Sequence, residues 1–392
     1  MAGRIIFAEV SKVRHYHSTV MNGFVKAWYH VGADRRWGRP IVYAHHSFVD
    51  ALNADVRERI DIVPIDVIDP DKRQILRKSL HEALTTLRLI RKAGPEDTLI
   101  ITTIFPSAMP IVELAAKLLR RKNVVILQHS EVEEACTDVD PKLGSYGHAN
   151  LIWHRIRPAG SWIRVAVLGS WIANAMRRRF PRSFARQDIV AIPMPVEPYA
   201  HPRRIAQDHI FRCGFIGFNT PAKGYEIFES LSRSVTDIDF FQIGAGKSLD
   251  IRTGTFDALR SAEDFMDALS ACDVAVMPNT SGYDFTLSAA ATDAISAGAH
   301  LLTSNRGCYR ALRDEFGPEC VTICDNEQQM QDFLTDTDWR ARILATRDAR
   351  LARIEQAEFS LSNVGKSLED LMILPTPLPS SPAPESQAAR VR

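Results

Sequence analysis

The sequence predicts an α/β protein built from two doubly wound, mainly parallel-sheet domains of the Rossmann-like type. Its 392 residues exceed one ordinary hydrophobic core and favour two domains. Short, almost wholly apolar runs alternate with longer amphipathic runs, which is typical of buried parallel strands joined by helices. A proline-rich stretch, 188–209, interrupts the alternation, which then starts again.

The first half is expected to hold six strands and three long helices before the proline-rich stretch. The apolar runs that predict strands are 4–10, 40–46, 60–66, 98–105, 123–130 and 164–170. Apolar residues at helical spacing predict helices over 18–32, 71–94 and 107–122. The proline-rich stretch is interpreted as the last strand of the first domain and a linker.

The second half repeats the pattern. Strands are expected at 210–218, 238–246, 273–279, 299–305 and 319–324, and helices at 223–234, 261–272, 285–298, 308–317, 326–357 and 359–371. The expected domains are 1–200 and 201–358, with a C-terminal helix over 359–373 that packs back on the first domain. The end, 374–392, is rich in proline and serine and is expected to be disordered.

Composition narrows the class of protein. The apolar fraction is 45 %, the charged fraction is 24 % and the net charge is +1, so no overall basic field favours nucleic acid. Six cysteines lack the spacing of a metal or redox motif, which indicates buried free thiols in a reducing compartment. Neither a signal peptide nor a run of about 18 apolar residues occurs, and a cytoplasmic protein is expected.

Basic residues cluster in the first half, within 88–94, 117–123, 153–164 and 176–187. Two interpretations stay open. These residues are solvated helix ends, or they form a face that meets a lipid-phosphate substrate or the anionic inner face of the plasma membrane.

One candidate phosphate site follows the strand that ends at Gly217. A short loop leads to Lys223 and Gly224, which are expected to open a helix, and a lysine beside free backbone N–H groups suits a phosphate. The alternative is an ordinary surface lysine. The later stretch 241–248 ends in Gly-Lys-Ser but has Phe241 where a P-loop needs glycine, so it is interpreted as a glycine-rich turn.

The stretch 280–298 is a second candidate. Asp284 or Thr286 is expected to cap a helix whose first N–H groups suit a diphosphate. Asp293, farther along that helix, is either a ligand of a ribose diol or a hydrogen-bonded structural carboxylate. His129 ends a strand, and Glu131 follows it in an acidic run that meets sugar hydroxyls or water. No metal site is expected, because no histidine has carboxylate or thiol companions at metal spacing.

Taken together, these motifs resemble those of the family 4 retaining glycosyltransferases, which have the GT-B fold of two domains facing a cleft. The resemblance covers about residues 1–360 and is strongest over 160–305. The matching stretches are Val165–Phe180 with Asp188–Pro198, Phe215–Phe228, Phe240–Gly246, Leu269–Gly307 and Leu127–Glu131.

The resemblance implies transfer of a sugar from a nucleotide-sugar, with retention and without metal or other cofactor, in polysaccharide biosynthesis. The implied acceptor is a glycan or a lipid-linked saccharide. The implied catalytic residues are His129, Lys223 and Asp293, and the implied acceptor-side residues are Asn22, Gly23 and Glu131. The implied donor-binding residues are Gly217, Asn219, Lys223, Gly244, Asp284, Thr286, Leu287, Ser288 and Asp293.

The sequence departs from the family pattern at two places. Phe218 stands where the family has an arginine, which removes a bidentate cation from the phosphates. The first of the family's two acids falls on Phe285, so Asp284 lies one residue out of register. Two alternatives therefore stay open, a catalytically weak or inactive protein that binds a glycan or nucleotide, and a nucleotide-sugar epimerase.

Overall fold

The computed structural model describes residues 3–14, 17–68, 74–121, 123–137, 146–157, 161–184, 189–199, 209–244 and 246–373. Their contacts divide the chain into two compact units. Unit 1 is Met1–Ile192 together with Lys366–Arg392, and unit 2 is Pro193–Gly365. The tail expected over 374–392 lies outside the described residues.

Unit 1 is built on seven parallel strands. The strands are β1 Ile5–Glu9, β2 Ile41–Ala44, β3 Asp61–Pro64, β4 Thr98–Thr103, β5 Val124–Gln128, β6 Ile163–Val167 and β7 Ile189–Ala191. Their order across the sheet is β3-β2-β1-β4-β5-β6-β7. The central strands β1, β4, β5 and β6 are buried along their whole length, as their unbroken apolar runs predict.

The helices of unit 1 fall on opposite faces of this sheet because parallel crossovers are right-handed. They are α1 Ser18–His30, α2 Ala33–Trp37, α3 His46–Val49, α4 Ala54–Arg57, α5 Ile75–Lys92, α6 Met109–Leu118, α7 Glu131–Cys136, α8 Tyr146–Ile156 and α9 Ser170–Arg179. The connections from β1 to β3 run one way across the sheet, which places α1 to α4 on one face. The connections from β3 to β7 run the other way and place α5 to α9 on the opposite face.

Unit 2 has a second seven-stranded sheet. The strands are β8 Arg212–Ile216, β9 Asp239–Gly244, β10 Lys247–Asp250, β11 Phe256–Ala258, β12 Val274–Met277, β13 His300–Ser304 and β14 Val321–Cys324. Their order is β11-β10-β9-β8-β12-β13-β14, with β10 and β11 antiparallel at one edge. This edge hairpin is not among the predicted strands, because its residues are only partly buried or exposed and lack an apolar run.

The helices of unit 2 are α10 Tyr225–Ser234, α11 Ala262–Ser270, α12 Ala289–Ser296, α13 Gly307–Phe316, α14 Glu327–Thr335, α15 Thr337–Ala345 and α16 Arg347–Ile354; α17 Leu361–Ile373 begins in unit 2 and continues in unit 1. The helix expected over 326–357 is in fact three helices. Asp336 ends α14 and caps α15 by accepting from the backbone N–H groups of Asp338 and Trp339. The last helix, α17, ends in unit 1, where Arg164 donates to the Leu371 carbonyl at 3.1 Å.

Helix α12 begins four residues later than predicted. Its N-cap is Ser288, whose hydroxyl accepts from the Ala291 N–H at 3.3 Å. The expectation that Asp284 or Thr286 caps this helix is therefore wrong, because both lie in the preceding loop.

All six cysteines are buried free thiols, as predicted. No helix in the described ranges combines the length and the apolar character that a membrane crossing needs.

Candidate functional site

Each sheet has one place where its connections reverse direction, between β1 and β4 in unit 1 and between β8 and β12 in unit 2. In open α/β sheets, ligands collect at the carboxyl ends of the strands beside such a reversal. The predicted site residues are found near these two places.

In unit 2, Lys223 folds back over the end of β8. Gly217 follows β8 with φ 109°, and a β-carbon there would lie 2.4 Å from the Lys223 ammonium. Glycine thus permits both the turn and the approach of the lysine. Gly217 also donates its N–H to Ile243 at 2.8 Å, which holds it beside Gly244 at the end of β9.

The Lys223 ammonium has no hydrogen-bond acceptor among the described residues, and burial lowers its pKa. A partly desolvated, unpaired cation is costly unless an anion joins it. An anionic ligand is therefore the chemical partner that this position lacks.

The loop after β12 packs directly on the turn that carries Lys223. Thr280 donates its hydroxyl to Pro221 at 2.8 Å and its N–H to Ala222 at 3.1 Å. A β-carbon at Gly224 would lie 2.0 Å from the Pro278 carbonyl oxygen. Only glycine fits this approach. Gly224 is the N-cap of α10, as expected, and Lys223 ends the short turn just before it.

A small hollow lies between these two loops. Of the predicted residues, Lys223 and Ser288 line it; the other lining residues are Phe215, Ile216, Val276, Met277, Asn279, Tyr283, Ala290 and Tyr309. Asn279 and the two tyrosines were not predicted. One signal in the sequence was available, the Gly-Tyr pair at 282–283 between a strand and a helix, where Tyr283 takes a left-handed conformation with φ 64°.

Asp284 caps a helix, but a different one from that predicted. Its carboxylate accepts from the N–H of Gly307, the first residue of α13, at 2.8 Å. Arg306 and Arg310 each place a guanidinium nitrogen 3.7 Å from the carboxylate. The Asp284 carboxylate is thus committed to the start of α13.

Asp293 lies in the middle of α12. Its residue surface is partly exposed, yet burial of the carboxyl group raises its pKa to about 7. No described residue hydrogen-bonds this carboxyl group, and it does not line the hollow. Asp293 is therefore not the hydrogen-bonded structural carboxylate of the alternative interpretation, as far as the described residues go.

The remaining donor-side residues differ in exposure. Phe218 and Asn219 are exposed after β8, Phe218 with 65 % of its surface. Leu287 is buried. Thr286 has a buried hydroxyl oxygen for which the described residues offer no partner. Their assignment to donor binding stays a prediction.

In unit 1, a buried carboxylate organises the strand ends. Glu9, at the end of β1, accepts from the N–H groups of Ser11 and Lys12 at 3.1 and 3.0 Å. It also accepts from the hydroxyls of Thr102 and Thr103 at 2.9 and 3.0 Å. The Thr103 hydroxyl proton therefore points at Glu9, whereas the Thr102 hydroxyl also lies 3.2 Å from the Ala8 carbonyl.

This arrangement places a hydrogen on Nδ1 of His17. Its Nδ1 lies 2.6 Å from the Thr103 hydroxyl oxygen, whose own proton is given to Glu9. Nδ1 must then carry a hydrogen, which the Thr103 oxygen accepts. Neither His17 nor Glu9 was predicted, because the chain brings them together only through β4.

His129 stacks on His17, with ring centroids 4.5 Å apart. Its Nε2 lies 3.0 Å from the Thr102 carbonyl, which can only accept, so Nε2 carries the hydrogen and Nδ1 the lone pair. Burial, with a smaller effect from His17, lowers its pKa to about 3. At neutral pH His129 is uncharged, and its free nitrogen accepts hydrogen bonds.

The acceptor-side residues of the prediction are placed separately. Glu131 starts α7, and burial raises its pKa; its Oε1 is buried without a described partner. Asn22 and Gly23 lie on α1, where the Asn22 amide exchanges hydrogen bonds with Asn53 at 3.1 and 3.2 Å. Their acceptor-side role stays a prediction. Within the described residues no three His, Cys, Asp or Glu side chains gather as a metal-ligand set.

The chain matches no protein-family model and no curated protein sequence. It is similar in structure to Alr3699/HepE of Anabaena in complex with UDP-glucose, at a TM-score of 0.61 and 14 % identity over 95 % of this chain and 100 % of that one. It is also similar to WaaG, a glycosyltransferase involved in lipopolysaccharide biosynthesis, at 0.60 and 12 % over 94 % and 99 %. An α,α-trehalose-phosphate synthase (UDP-forming) from Burkholderia vietnamiensis matches at 0.59 and 12 % over 95 % and 100 %. Identity this low establishes the fold alone, which is α/β of the GT-B type.

Proposed function

We propose that this chain is a glycosyltransferase that moves a sugar from a nucleotide-sugar donor to a glycan or lipid-linked acceptor. The observation that carries the proposal is the unpaired Lys223 ammonium over Gly217 at the reversal point of unit 2. The similar structures include a complex with UDP-glucose, and that donor class has the diphosphate that such a cation suits.

The chemistry requires stabilisation of the leaving group. As the sugar–phosphate bond breaks, negative charge gathers on the nucleoside diphosphate. Lys223 and the first N–H groups of α12, which Ser288 leaves free beside the hollow, supply positive charge there. We propose that Asp293 holds the ribose diol, because its carboxyl group lacks a described partner and a ribose hydroxyl provides one.

The histidine pair of unit 1 suits a hydroxylated ligand. His129 Nδ1 is an acceptor in the tautomer that the Thr102 carbonyl imposes, and the His17 ring stacks on it. We propose that His129 accepts a hydrogen bond from a hydroxyl of the transferred sugar. Glu131 and the α1 residues Asn22 and Gly23 are assigned to the acceptor side.

We propose retention at the anomeric carbon and no requirement for a metal ion, as the resemblance to family 4 implies. In this mechanism the acceptor hydroxyl attacks from the face of the leaving group, and its proton passes to a diphosphate oxygen. The anomeric configuration of the product, read by NMR, tests the first part. Unchanged turnover in the presence of a chelator tests the second.

The test of the proposed function is release of nucleoside diphosphate from a panel of UDP-, GDP- and ADP-sugars. With the donor that is turned over, we expect Lys223→Ala to lower kcat about 10²- to 10³-fold, because one charge-stabilising group is lost. Lys247→Ala is the matched control, since Lys247 is a half-buried lysine of unit 2 on β10. Equal activity of Lys223→Ala and the wild type would contradict the proposal.

Two observations favour a second candidate, a protein that binds the nucleotide without turnover. Asp284, the residue nearest to the family's first acid, is committed to α13, and Phe218 replaces the family's arginine. Binding of UDP that is lost in Lys223→Ala, with no diphosphate release from any donor, would support this candidate. Interconversion of free nucleotide-sugars without an acceptor would instead indicate an epimerase.

A further inference from the structure

Helix α5 has its polar and apolar sides reversed relative to an ordinary surface helix. Its inward side buries a lysine and a glutamate, Lys78 and Glu82, with several hydroxyl side chains. Lys78 reaches the Ser11 carbonyl at 2.8 Å, and its ammonium lies 3.9 Å from the Glu82 carboxylate. The outward side is a stripe of aliphatic residues, namely Ile75, Leu76, Leu80 and Leu84. Leu76 keeps 84 % of its surface exposed.

Two further helices expose aliphatic residues in the same way. Helix α6 exposes Ile111, Leu114 and Leu118 at helical spacing, and α8 exposes Ile152 and Ile156. Since α5, α6 and α8 all belong to the connections between β3 and β6, they lie on one face of the sheet. Helix α5 packs on α6, and both α5 and α8 pack on the turn 106–108 that precedes α6.

This concentration is specific to one face of unit 1. Nine of the fourteen large hydrophobic side chains that are exposed in the described residues belong to these three helices. Single exposed leucines are ordinary on protein surfaces, but an apolar surface spread over three neighbouring helices indicates an interaction site. We refer to the nine residues as the aliphatic face.

Positive charge flanks the aliphatic face. Exposed basic side chains lie among or after the aliphatic residues, namely Arg77, Arg88, Arg91, Lys92, Lys117, Arg120 and Arg155. The only acids in the three helices are Glu82, which is buried, and Glu113, which is half-buried and accepts from the Ser161 hydroxyl. Within these three helices the fully exposed charged side chains are thus all basic.

We propose that the aliphatic face is a membrane-binding surface that lies on an anionic phospholipid bilayer. The leucine and isoleucine side chains insert at the boundary between the lipid headgroups and the acyl chains, and the flanking arginine and lysine side chains bind lipid phosphates. The basic charge of this surface favours an anionic bilayer over a second copy of the chain as the binding partner. An isologous dimer through this face would bring the basic flanks of one copy against the same basic surface of the other.

The proposal does not depend on transferase activity. The aliphatic face belongs to unit 1 and includes neither Lys223 nor the hollow of unit 2. Lipid binding and diphosphate release are therefore measured separately, and either can fail without the other.

The experiment uses the full chain with vesicles of phosphatidylcholine alone and of equal parts phosphatidylcholine and phosphatidylglycerol. We expect co-sedimentation with the anionic vesicles, reduced at high ionic strength because salt screens the charges. The double variant Leu80→Glu with Leu114→Glu should lower the partition coefficient about tenfold or more, since two buried aliphatic contacts become repelled charges. Phe256→Glu, at an exposed aromatic residue of unit 2, is the matched control and should bind as the wild type does.

Both variants change only exposed side chains, and circular dichroism with thermal unfolding checks that they fold. Failure of the wild type to bind anionic vesicles would overturn the proposal, as would equal binding by the double variant. A concentration-dependent dimer in sedimentation velocity that Leu80→Glu dissociates would also overturn it, since a second copy would then cover the face.

Discussion

Lys223 and Asp293 are ionisable side chains of opposite charge, and neither has a hydrogen-bond partner among the described residues. Burial acts on both in the direction of neutrality: it lowers the pKa of Lys223 and raises that of Asp293 to about 7. A ligand with an anionic group for the lysine and a hydroxyl for the carboxyl group would give each side chain the partner that it lacks. This pairing is the residue-level reason to favour a nucleotide-sugar over a neutral glycan in unit 2.

Asp293 should make the protein less stable as pH rises. Its pKa is raised from 3.8 to about 7 on folding, so the folded state binds more protons than the unfolded state between these values. Stability is then lost between about pH 4 and 7, by up to roughly 4 kcal/mol and less where water reaches the carboxyl group. Asp293→Asn should remove this loss, with little change at pH 4.

Urea unfolding at pH 5 and pH 8 measures the effect. Asp257→Asn, at an exposed position on β11, is the control and should follow the wild type at both values. If Asp293→Asn loses stability between pH 5 and 8 as steeply as the wild type, the carboxyl group is not desolvated as described.

At the scale of elements, α12 and α13 start from neighbouring loops and take their caps in different ways. Helix α12 is capped by its own Ser288. Helix α13 receives its cap from Asp284, a residue 23 positions earlier in the chain. The Cys308 N–H also donates to the Tyr283 carbonyl at 2.8 Å, so the start of α13 fixes the loop that borders the hollow.

Asp284→Asn and Asp284→Ala separate a structural role from a catalytic one. An asparagine oxygen can still accept from Gly307, whereas alanine leaves the N–H unsatisfied. If Asp284 is a cap, Ala should cost about 1–2 kcal/mol of unfolding free energy and Asn much less. Donor turnover should then survive in Asp284→Asn.

Denaturant unfolding and diphosphate release on the same two variants decide the matter. A large fall in kcat for Asp284→Asn with unchanged stability would assign the carboxylate to the reaction, as a displaced counterpart of the family's first acid. Ser288→Ala is the comparison, because it removes a local cap from the neighbouring helix.

The elements show what the sequence could and could not predict. Buried strands such as β4 and β12 were found to within two residues, because an unbroken apolar run has few other interpretations. The start of α12 was missed by four residues, since Asp284 and Thr286 are equally good capping residues in sequence. The cap of α13 could not be found, because Asp284 reaches Gly307 only in the folded unit.

Helix α5 was predicted for its periodicity, yet its orientation runs against the usual rule that the leucine stripe faces the core. Periodicity identifies a stripe but not the side on which it lies. The cluster of Glu9, His17 and His129 was likewise beyond sequence reasoning, because it depends on Thr103 of a third strand.

At the scale of the whole molecule, each unit has one reversal point with its own chemistry. Unit 2 offers an unpaired cation and a helix N-terminus, and unit 1 offers the uncharged His129 imidazole and the buried Glu9 carboxylate. An anion and a hydroxylated group are the matching ligands, and a nucleotide-sugar with its acceptor contains both. The similarity to solved structures supports the fold of the two units but not the ligand assigned to each.

If the nucleotide binds in unit 2, it should slow amide hydrogen exchange there and not in unit 1. UDP, the nucleotide of the complexes with similar chains, has the ribose and the diphosphate but not the transferred sugar, and it should bind unit 2 alone. At 100 times its dissociation constant it should add about 2.7 kcal/mol to the stability of the unit it binds. Amide hydrogen exchange should slow at 217–224 and 279–291, around Lys223 and the start of α12, and stay unchanged on α5 and α6. Lys223→Ala should abolish the protection while Lys247→Ala keeps it. Protection confined to unit 1, or no protection with UDP, GDP or ADP, would show that the hollow beside β8 is not the nucleotide site. A bound diphosphate accepts hydrogen bonds from backbone amides, and amides bonded in this way exchange more slowly.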